Sequence, residues 1–389
     1  MADRKRRKIE LTQRGRRALR ILAAVILAIM LIILALSAFH IASLADVRDN
    51  IRSFFSELAP GKGYPYHVNS DQVAKVTVLN GDILVVMDDQ TVTLDSSAKA
   101  AKTVKHTYAS PAVTVSGSRA LIYNRGENRY RVETRTDTIY SGKTKDDEKI
   151  ITAAIGKKGN IALATLTEKA TSRLTVLNST YKKKLFVWNC ADYNISSVAL
   201  SDDGKYAAVS VLGAKDGDAY SKVIIFDFEY EDPVSETEYP GTTVVSVRFT
   251  SNSTVAVVGD NKLAFIKGLD KNKEIDYGTS TLAAFAHSET GETIVVLAKY
   301  GSMNAQTLTC YSKSGRDTFT KEYSQPVKQV YASDSRIAVL LSDRVDLYSM
   351  GGIGYKPREA DANSISAFTI GKKCYVYQQG AIVKPHKKK

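Results

Sequence analysis

The sequence repeats one short pattern eight times between residues 76 and 376. Each copy is an apolar strand, a tight polar turn and a second apolar strand, followed by one or two more alternating strands. The eight strand-turn-strand cores are Val76–Val86, Ala112–Ile122, Thr152–Leu163, Val198–Val209, Val245–Val257, Ala283–Val296, Gln329–Leu340 and Ile365–Val376. Successive turns are 36 to 48 residues apart, the spacing of four-stranded propeller blades. The pattern predicts an all-β fold, a single β-propeller of about eight four-stranded blades.

Two features of the repeats favour a closed propeller over other all-β folds. A β-sandwich would give regular strands without an eightfold recurrence of one hairpin. The last repeat has room for about three strands, and a short extended segment, Tyr64–Val68, precedes the first complete repeat. We expect this segment to complete the last blade and close the ring, which removes an open sheet edge. Seven blades are the alternative if one weak repeat is misassigned.

A long apolar segment precedes the repeats. Residues 21–45 contain no Lys, Arg, Asp or Glu, and as a helix they would extend about 37 Å, enough to cross a hydrocarbon core. We predict one N-terminal transmembrane helix over 21–45, with Ile21, Leu31 and Leu44 among its membrane-spanning residues. A cleavable signal peptide is the alternative, because residues 43–45 resemble a cleavage site, but signal peptides have shorter apolar cores.

The net charge of +13 is concentrated at the two ends of the chain. Residues 1–20 carry +7 and residues 384–389 carry +4, so the rest of the chain carries only +2. The arginines that determine topology are Arg4, Arg6, Arg7, Arg14, Arg16, Arg17 and Arg20. By the positive-inside rule they place the N-terminus in the cytoplasm and residues 46–389 outside. The near-neutral body argues against a nucleic-acid-binding face, which needs basic residues on the folded domain.

These features predict five segments. They are a basic cytoplasmic tail (1–20), the transmembrane helix (21–45), an amphipathic juxtamembrane stalk (46–62), the extracytoplasmic propeller (63–385) and a basic C-terminal tail (386–389), which we expect to be solvated. The stalk has a helical pattern from Asp46 to Ala59, with an apolar stripe formed by Val47, Ile51, Phe54, Phe55 and Leu58. We expect the stripe to pack against the propeller or the lipid interface, and a contact with a partner helix is the alternative.

No set of residues predicts a reaction. The histidines are His40, His67, His106, His287 and His386, and none has a second His or a Cys at i+3 or i+4. His287 lies beside a predicted turn, so we expect an exposed loop residue. Gly-x-Ser-x-Gly and P-loop motifs do not occur. We predict no catalytic residue, no metal site and no cofactor. The cysteines, Cys190, Cys310 and Cys374, lie in different repeats and are expected to be free thiols.

The segment Leu200-Ser-Asp-Asp-Gly-Lys-Tyr-Ala-Ala-Val-Ser210 resembles the strand-turn-strand unit of WD40-like and quinoprotein-like bacterial propellers. The whole layout resembles an uncharacterised family of single-span Gram-positive bacterial membrane proteins that carry such a propeller outside the membrane. Trp188 is the single tryptophan, so the recurring tryptophan of quinoprotein blades is missing. The resemblance therefore does not imply pyrroloquinoline quinone binding.

The expected function is binding or scaffolding at the membrane, with a cell-surface protein, a wall polymer or a glycan as the partner. A propeller presents loops on two faces, and loops on a rigid scaffold commonly carry recognition. A propeller-type hydrolase acting on a cell-surface polymer is the alternative. Histidines or carboxylates that converge at a mouth of the channel would favour the hydrolase. The sequence leaves the oligomeric state and the functional face open.

Overall fold

The computed structural model describes residues 44–57, 60–68, 72–215 and 217–388. Within these residues, 32 strands form eight separate four-stranded antiparallel sheets. Seven sheets contain four consecutive strands each, and the eighth combines the last three strands with the first one. Each sheet is one blade of a β-propeller. The predicted eight blades are therefore confirmed, and the seven-blade alternative is wrong.

The first four blades run from residue 73 to residue 240. Blade 1 contains β2 (Val73–Leu79), β3 (Asp82–Met87), β4 (Gln90–Leu94) and β5 (Ala100–Lys105). Blade 2 contains β6 (Pro111–Ser116), β7 (Arg119–Asn124), β8 (Arg129–Glu133) and β9 (Thr138–Lys143). Blade 3 contains β10 (Lys149–Ile155), β11 (Ile161–Thr167), β12 (Ala170–Leu177) and β13 (Lys184–Cys190). Blade 4 contains β14 (Asn194–Leu200), β15 (Tyr206–Lys215), β16 (Asp218–Asp227) and β17 (Ser235–Pro240).

The other four blades complete the ring. Blade 5 contains β18 (Val244–Ser251), β19 (Thr254–Gly259), β20 (Lys262–Lys267) and β21 (Lys271–Asp276). Blade 6 contains β22 (Thr281–His287), β23 (Thr293–Lys299), β24 (Ser302–Tyr311) and β25 (Asp317–Tyr323). Blade 7 contains β26 (Gln329–Ala332), β27 (Arg336–Leu340), β28 (Arg344–Ser349) and β29 (Gly354–Glu359). Blade 8 contains β30 (Ser364–Ile370), β31 (Lys373–Gln378), β32 (Ala381–Val383) and β1 (Tyr66–His67).

Strand β1 closes the ring as the outermost strand of blade 8. Tyr66 pairs with Ile382, and His67 pairs with Ala381. This pairing joins the two ends of the propeller sequence within one sheet. The expectation that residues 64–68 supply the missing outer strand is therefore confirmed.

Apolar side chains form eight buried clusters, one between each pair of neighbouring blades. Successive side chains along a strand point to opposite faces of the sheet. Each strand therefore contributes residues to the clusters on both sides of its blade. In β15, Val209 packs against blade 3 whereas the adjacent Ala208 packs against blade 5. Between blades 3 and 4, the ring centroid of Trp188 lies 4.9 Å from that of Phe226. The core is thus a closed series of interfaces around the ring.

The interface between blades 1 and 2 also buries an ion network. Glu133, the last residue of β8, is fully buried. Its carboxylate lies 2.8 Å from the ammonium of Lys102 and also pairs with the guanidinium of Arg131. Arg131 donates a hydrogen bond of 2.9 Å to the hydroxyl of Thr91, and its guanidinium lies over the ring of Tyr108. Because buried charges are costly unless they are paired, two buried cations depend on this one carboxylate.

A helix, α1, spans Leu44–Glu57, so the helix predicted from Asp46 is confirmed over its described residues. Ile51 and Phe54 of its apolar stripe are 46% and 62% exposed. No helix in the described part of the chain is long and apolar enough to cross a membrane. Residues 21–43 of the predicted span and all the topology-determining arginines lie outside the described residues.

Candidate functional site

The first strands of the eight blades surround the central channel of the propeller. They are β2, β6, β10, β14, β18, β22, β26 and β30. Because strands alternate in direction within each blade, these eight strands begin at the face that carries the connections between blades. They end at the opposite face, which carries the first hairpin turn of each blade. We name these two openings the connection end and the hairpin end of the channel.

Six of the eight inner strands contain a β-bulge close to the connection end. The bulged residues, named the collar, are Ala74, Ile151, Ser196, Val245, Ala283 and Ile365. A bulge leaves one residue out of the ladder and redirects its side chain. Five of the six collar residues are aliphatic, and Val245 and Ile365 are 43% and 55% exposed. The connection end therefore presents exposed apolar side chains from several blades.

The hairpin end carries charged side chains instead. Lys157 of blade 3 forms an ion pair of 2.7 Å with Asp202 of blade 4. The same ammonium donates a hydrogen bond of 3.2 Å to the backbone carbonyl of Glu289 in blade 6. Burial, and then the charge of Asp334 in blade 7, raise the pKa of the Glu289 carboxyl. Lys157 thus links three blades, and the two ends of the channel differ in chemistry.

Ser246 and His287 are neighbours in the channel wall, on blades 5 and 6. Nε2 of His287 lies 3.2 Å from Oγ of Ser246, and Nδ1 lies 3.1 Å from Oγ1 of Thr293. Burial, and then the positive charge of Arg248, lower the pKa of His287 to about 3. A general base works best with a pKa near the operating pH. In a catalytic triad a carboxylate contacts the second ring nitrogen of the histidine, whereas here the hydroxyl of Thr293 does. The pair has the spacing of a nucleophile and its base, but His287 is too weakly basic for that role.

The expectation that His287 is an exposed loop residue is wrong. It is the last residue of β22, where it pairs with Thr293 of β23. The turn begins only after it, at Ser288. Two hydroxyls satisfy both ring nitrogens, so a polar side chain is tolerated within the strand.

A cavity lies at the seam where the two ends of the propeller sequence meet. Its volume is about 800 Å³, and Tyr64, Asp343, Glu359, Lys384 and His386 are among its lining residues. It therefore lies between blades 7 and 8 and beside the closing strand. Both acidic and basic side chains line it, so its walls carry no single sign of charge.

A smaller cavity of about 260 Å³ lies at the hairpin end. Glu289, Tyr331 and Asp334 line it together with turns of blades 1 and 8. Burial raises the pKa of Tyr331, so its hydroxyl stays protonated at neutral pH. The cavity is therefore lined by polar groups, in contrast to the collar.

The C-terminal segment runs along the outer edge of blade 7. The amide of Glu359 donates to the carbonyl of His386 at 3.0 Å, and the amide of Lys388 donates to the carbonyl of Pro357 at 3.0 Å. The ammonium of Lys388 pairs with Asp343 and is the main reason why the pKa of that carboxyl is lowered. The solvated C-terminal end that its charge led us to expect is therefore held against β29 as far as residue 388.

Neither metal ligands nor reactive thiols converge in the part of the chain that the structure describes. No group of three or more His, Cys, Asp or Glu side chains there could hold a metal ion. Cys190, Cys310 and Cys374 are buried free thiols. Burial raises the pKa of Cys310 and Cys374, which lowers the thiolate fraction that would react.

The sequence reasoning missed the collar, although four of its members left a signal. Ile151 follows Ile150, and Val245 follows Val244. Two successive apolar residues break the period of two that a regular strand keeps, and at the start of an inner strand this break marks the bulge. Ala74 after Val73 and Ala283 after Leu282 show the same break, whereas Ser196 and Ile365 leave no comparable signal in the sequence.

The fold and the channel define the class of protein as an eight-bladed β-propeller with four-stranded blades. Residues 64–384 match a family of unknown function, DUF5711, and the chain belongs to that family. No curated protein sequence matches the chain.

Solved structures show the same fold at low sequence identity. The chain is similar to BamB from Moraxella catarrhalis at a TM-score of 0.52 and 11% identity, over 85% of this chain and 100% of that one. It is similar to Sqt1 from Saccharomyces cerevisiae at a TM-score of 0.55 and 10% identity, again over 85% and 100% of the two chains. Identities this low support the fold and no more.

Proposed function

We propose that the chain is a membrane-anchored binding or scaffolding module whose propeller takes a protein partner at the collar. The observation that carries the proposal is the row of bulged aliphatic residues at the connection end, with Val245 and Ile365 exposed. Exposed apolar side chains grouped on one surface are typical of interaction sites. Wall polymer and glycan are the other partner classes, and both would favour hydroxyl-rich or aromatic surfaces over aliphatic ones.

The proposed location follows from the sequence. The apolar segment 21–45 would anchor the chain, and the arginines that precede it would keep the N-terminus in the cytoplasm. The propeller would then lie outside the membrane, as it does in the single-span Gram-positive proteins that the layout resembles. A propeller on a membrane anchor is well suited to hold a partner near the cell surface.

A photo-crosslinking amino acid at position 365 should capture the partner in intact cells. Ile365 is 55% exposed at the connection end, so a crosslinker there would contact whatever binds the collar. We expect a discrete crosslinked product on a denaturing gel, and mass spectrometry of that product identifies the partner. Val245→Asp in the same chain should reduce the product about tenfold or more, because it places a charge in the apolar contact.

The matched control carries the crosslinker at Ile353. This side chain is 69% exposed, but it lies in the last hairpin turn of blade 7, on the opposite face. Equal products from both positions would contradict a binding site at the collar. Protease added to intact, wall-stripped cells should also digest the product, and protection from protease would contradict the proposed location.

The hydrolase alternative depends on the contact between Ser246 and His287. A fluorophosphonate probe labels serines that a neighbouring base activates. We expect no labelling of the native chain, because a histidine with a pKa near 3 is a poor proton acceptor from serine. A known serine hydrolase in the same tube is the positive control. Labelling that disappears in Ser246→Ala would favour the hydrolase over a purely binding role.

A further inference from the structure

The outermost strand of each blade leaves one row of backbone N–H and C=O groups without a ladder partner. Proteins protect such edges with charged side chains, short strands or covering segments. Most blades here do so: β21 has four charged residues among its six, β1 has only two residues, and β29 is covered by residues 386–388. These edges are poor templates for a further strand.

Strand β13 of blade 3 lacks this protection. After Lys184 at its start, it contains no charged residue as far as Cys190. Leu185 and Val187 are 37% and 42% exposed. Among the described outer strands, β13 alone combines two exposed aliphatic side chains with an uncharged interior.

The opposite face of β13 is fixed by packing. Phe186 and Trp188 point away from Leu185 and Val187 and contact Phe226 of blade 4, with ring centroids 5.0 and 4.9 Å apart. The strand is therefore held in an extended conformation before anything binds to it. A preformed edge of this kind favours the addition of another strand, because little conformational entropy is lost.

The sequence around β13 is complementary to itself. In an antiparallel pair of two copies with a twofold axis at Val187, this residue lies opposite its own copy. The same axis brings Lys182, in the bend before the strand, near Asp192 of the other copy, in the bend after it, at both ends of the pair. Both of these side chains are exposed. Neither forms an ion pair or a hydrogen bond with the residues that the structure describes. Opposite charges on facing strands stabilise their pairing.

We propose that two copies of this chain associate by antiparallel pairing of their β13 strands about a twofold axis at Val187. The pairing would extend blade 3 of each copy into one eight-stranded sheet that crosses the interface. The exposed aliphatic side chains of both copies would then lie next to each other, and the edge would no longer be open. The proposal concerns a different surface from the collar and holds whether or not a partner binds there.

Disulfide trapping tests the register directly. At the twofold axis, the two Cα atoms of position 187 would lie about 4.5–5.5 Å apart, within the range of a disulfide. In full-length chain purified in mild detergent, Val187→Cys should give a disulfide-linked dimer under mild oxidation. Asn189→Cys is the matched control, since it lies on the same exposed face. Its two copies would be about 14 Å apart along the strands, so it should stay monomeric.

Sedimentation of the reduced chain provides the second measurement. We expect a concentration-dependent dimer, and Val187→Lys should raise its dissociation constant at least about tenfold, because two like charges would face each other. A dimer that Val187→Lys leaves intact would overturn the proposal. Crosslinking of both cysteine variants, or of neither, would also overturn it. A purely monomeric native chain would overturn it as well.

Discussion

Replacing Glu133 with alanine should lower the free energy of unfolding by about 3–5 kcal/mol. The carboxylate is fully buried and forms ion pairs with two cations, Lys102 and Arg131. Removing it takes away the negative charge that both of these cations contact inside the interface of blades 1 and 2. Urea unfolding followed by fluorescence is the measurement, because Trp188 is the single tryptophan and packs between two blades.

The matched control is Glu236→Ala. Glu236 also pairs with a lysine, at 2.8 Å from Lys222, but its side chain is 44% exposed. Exposed ion pairs contribute about 0.2–1 kcal/mol, so this variant should unfold close to the native midpoint. Similar midpoints for the two variants would show that the Glu133 carboxylate does not compensate the buried cations.

The number of blades was predictable because every blade repeats the same local pattern. A strand, a tight turn and a second strand are encoded by neighbouring residues, and the period of two fixes which side chains enter the interfaces. The closing strand was also predictable, because the last repeat lacked one strand and residues 64–68 had the composition of one. Counting strands at both ends of the sequence was enough to connect them.

The ion network of blades 1 and 2 could not be predicted in the same way. Thr91, Lys102 and Glu133 lie on three different strands. Their contact depends on how two blades twist and pack, and no local spacing records it. In the sequence, Lys102 and Arg131 look like ordinary surface residues of strands.

The environment of His287 in the channel wall could not be predicted from the sequence either. His287 was placed in a loop because polar residues follow it, but its two hydroxyl partners come from a different blade, at Ser246, and from the facing strand, at Thr293. A polar residue at the end of a strand cannot be distinguished from the start of a turn until its partners are known. The contact between His287 and Ser246 therefore exists only once blades 5 and 6 pack together.

His287 should make the folded chain sensitive to acid. Its pKa is about 3 in the fold and about 6.5 in an unfolded chain, so between these values the unfolded state binds more protons. Stability from this residue is complete above pH 6.5 and is lost as the pH falls toward 3, by about 2–3 kcal/mol at pH 4.5.

The measurement is the urea midpoint of the native chain and of His287→Gln between pH 7 and pH 4.5. The variant has no proton to bind at this position, so its midpoint should fall less steeply with pH, even if it starts lower because the contacts with Ser246 and Thr293 change. His67→Gln is the control, because solvent reaches that side chain in β1 before and after unfolding. If His287→Gln and the native chain lost stability in parallel, a charged His287 would have to be accommodated beside Arg248. In that case the channel wall would open to water at low pH, and the hydroxyl contacts would not hold the histidine neutral.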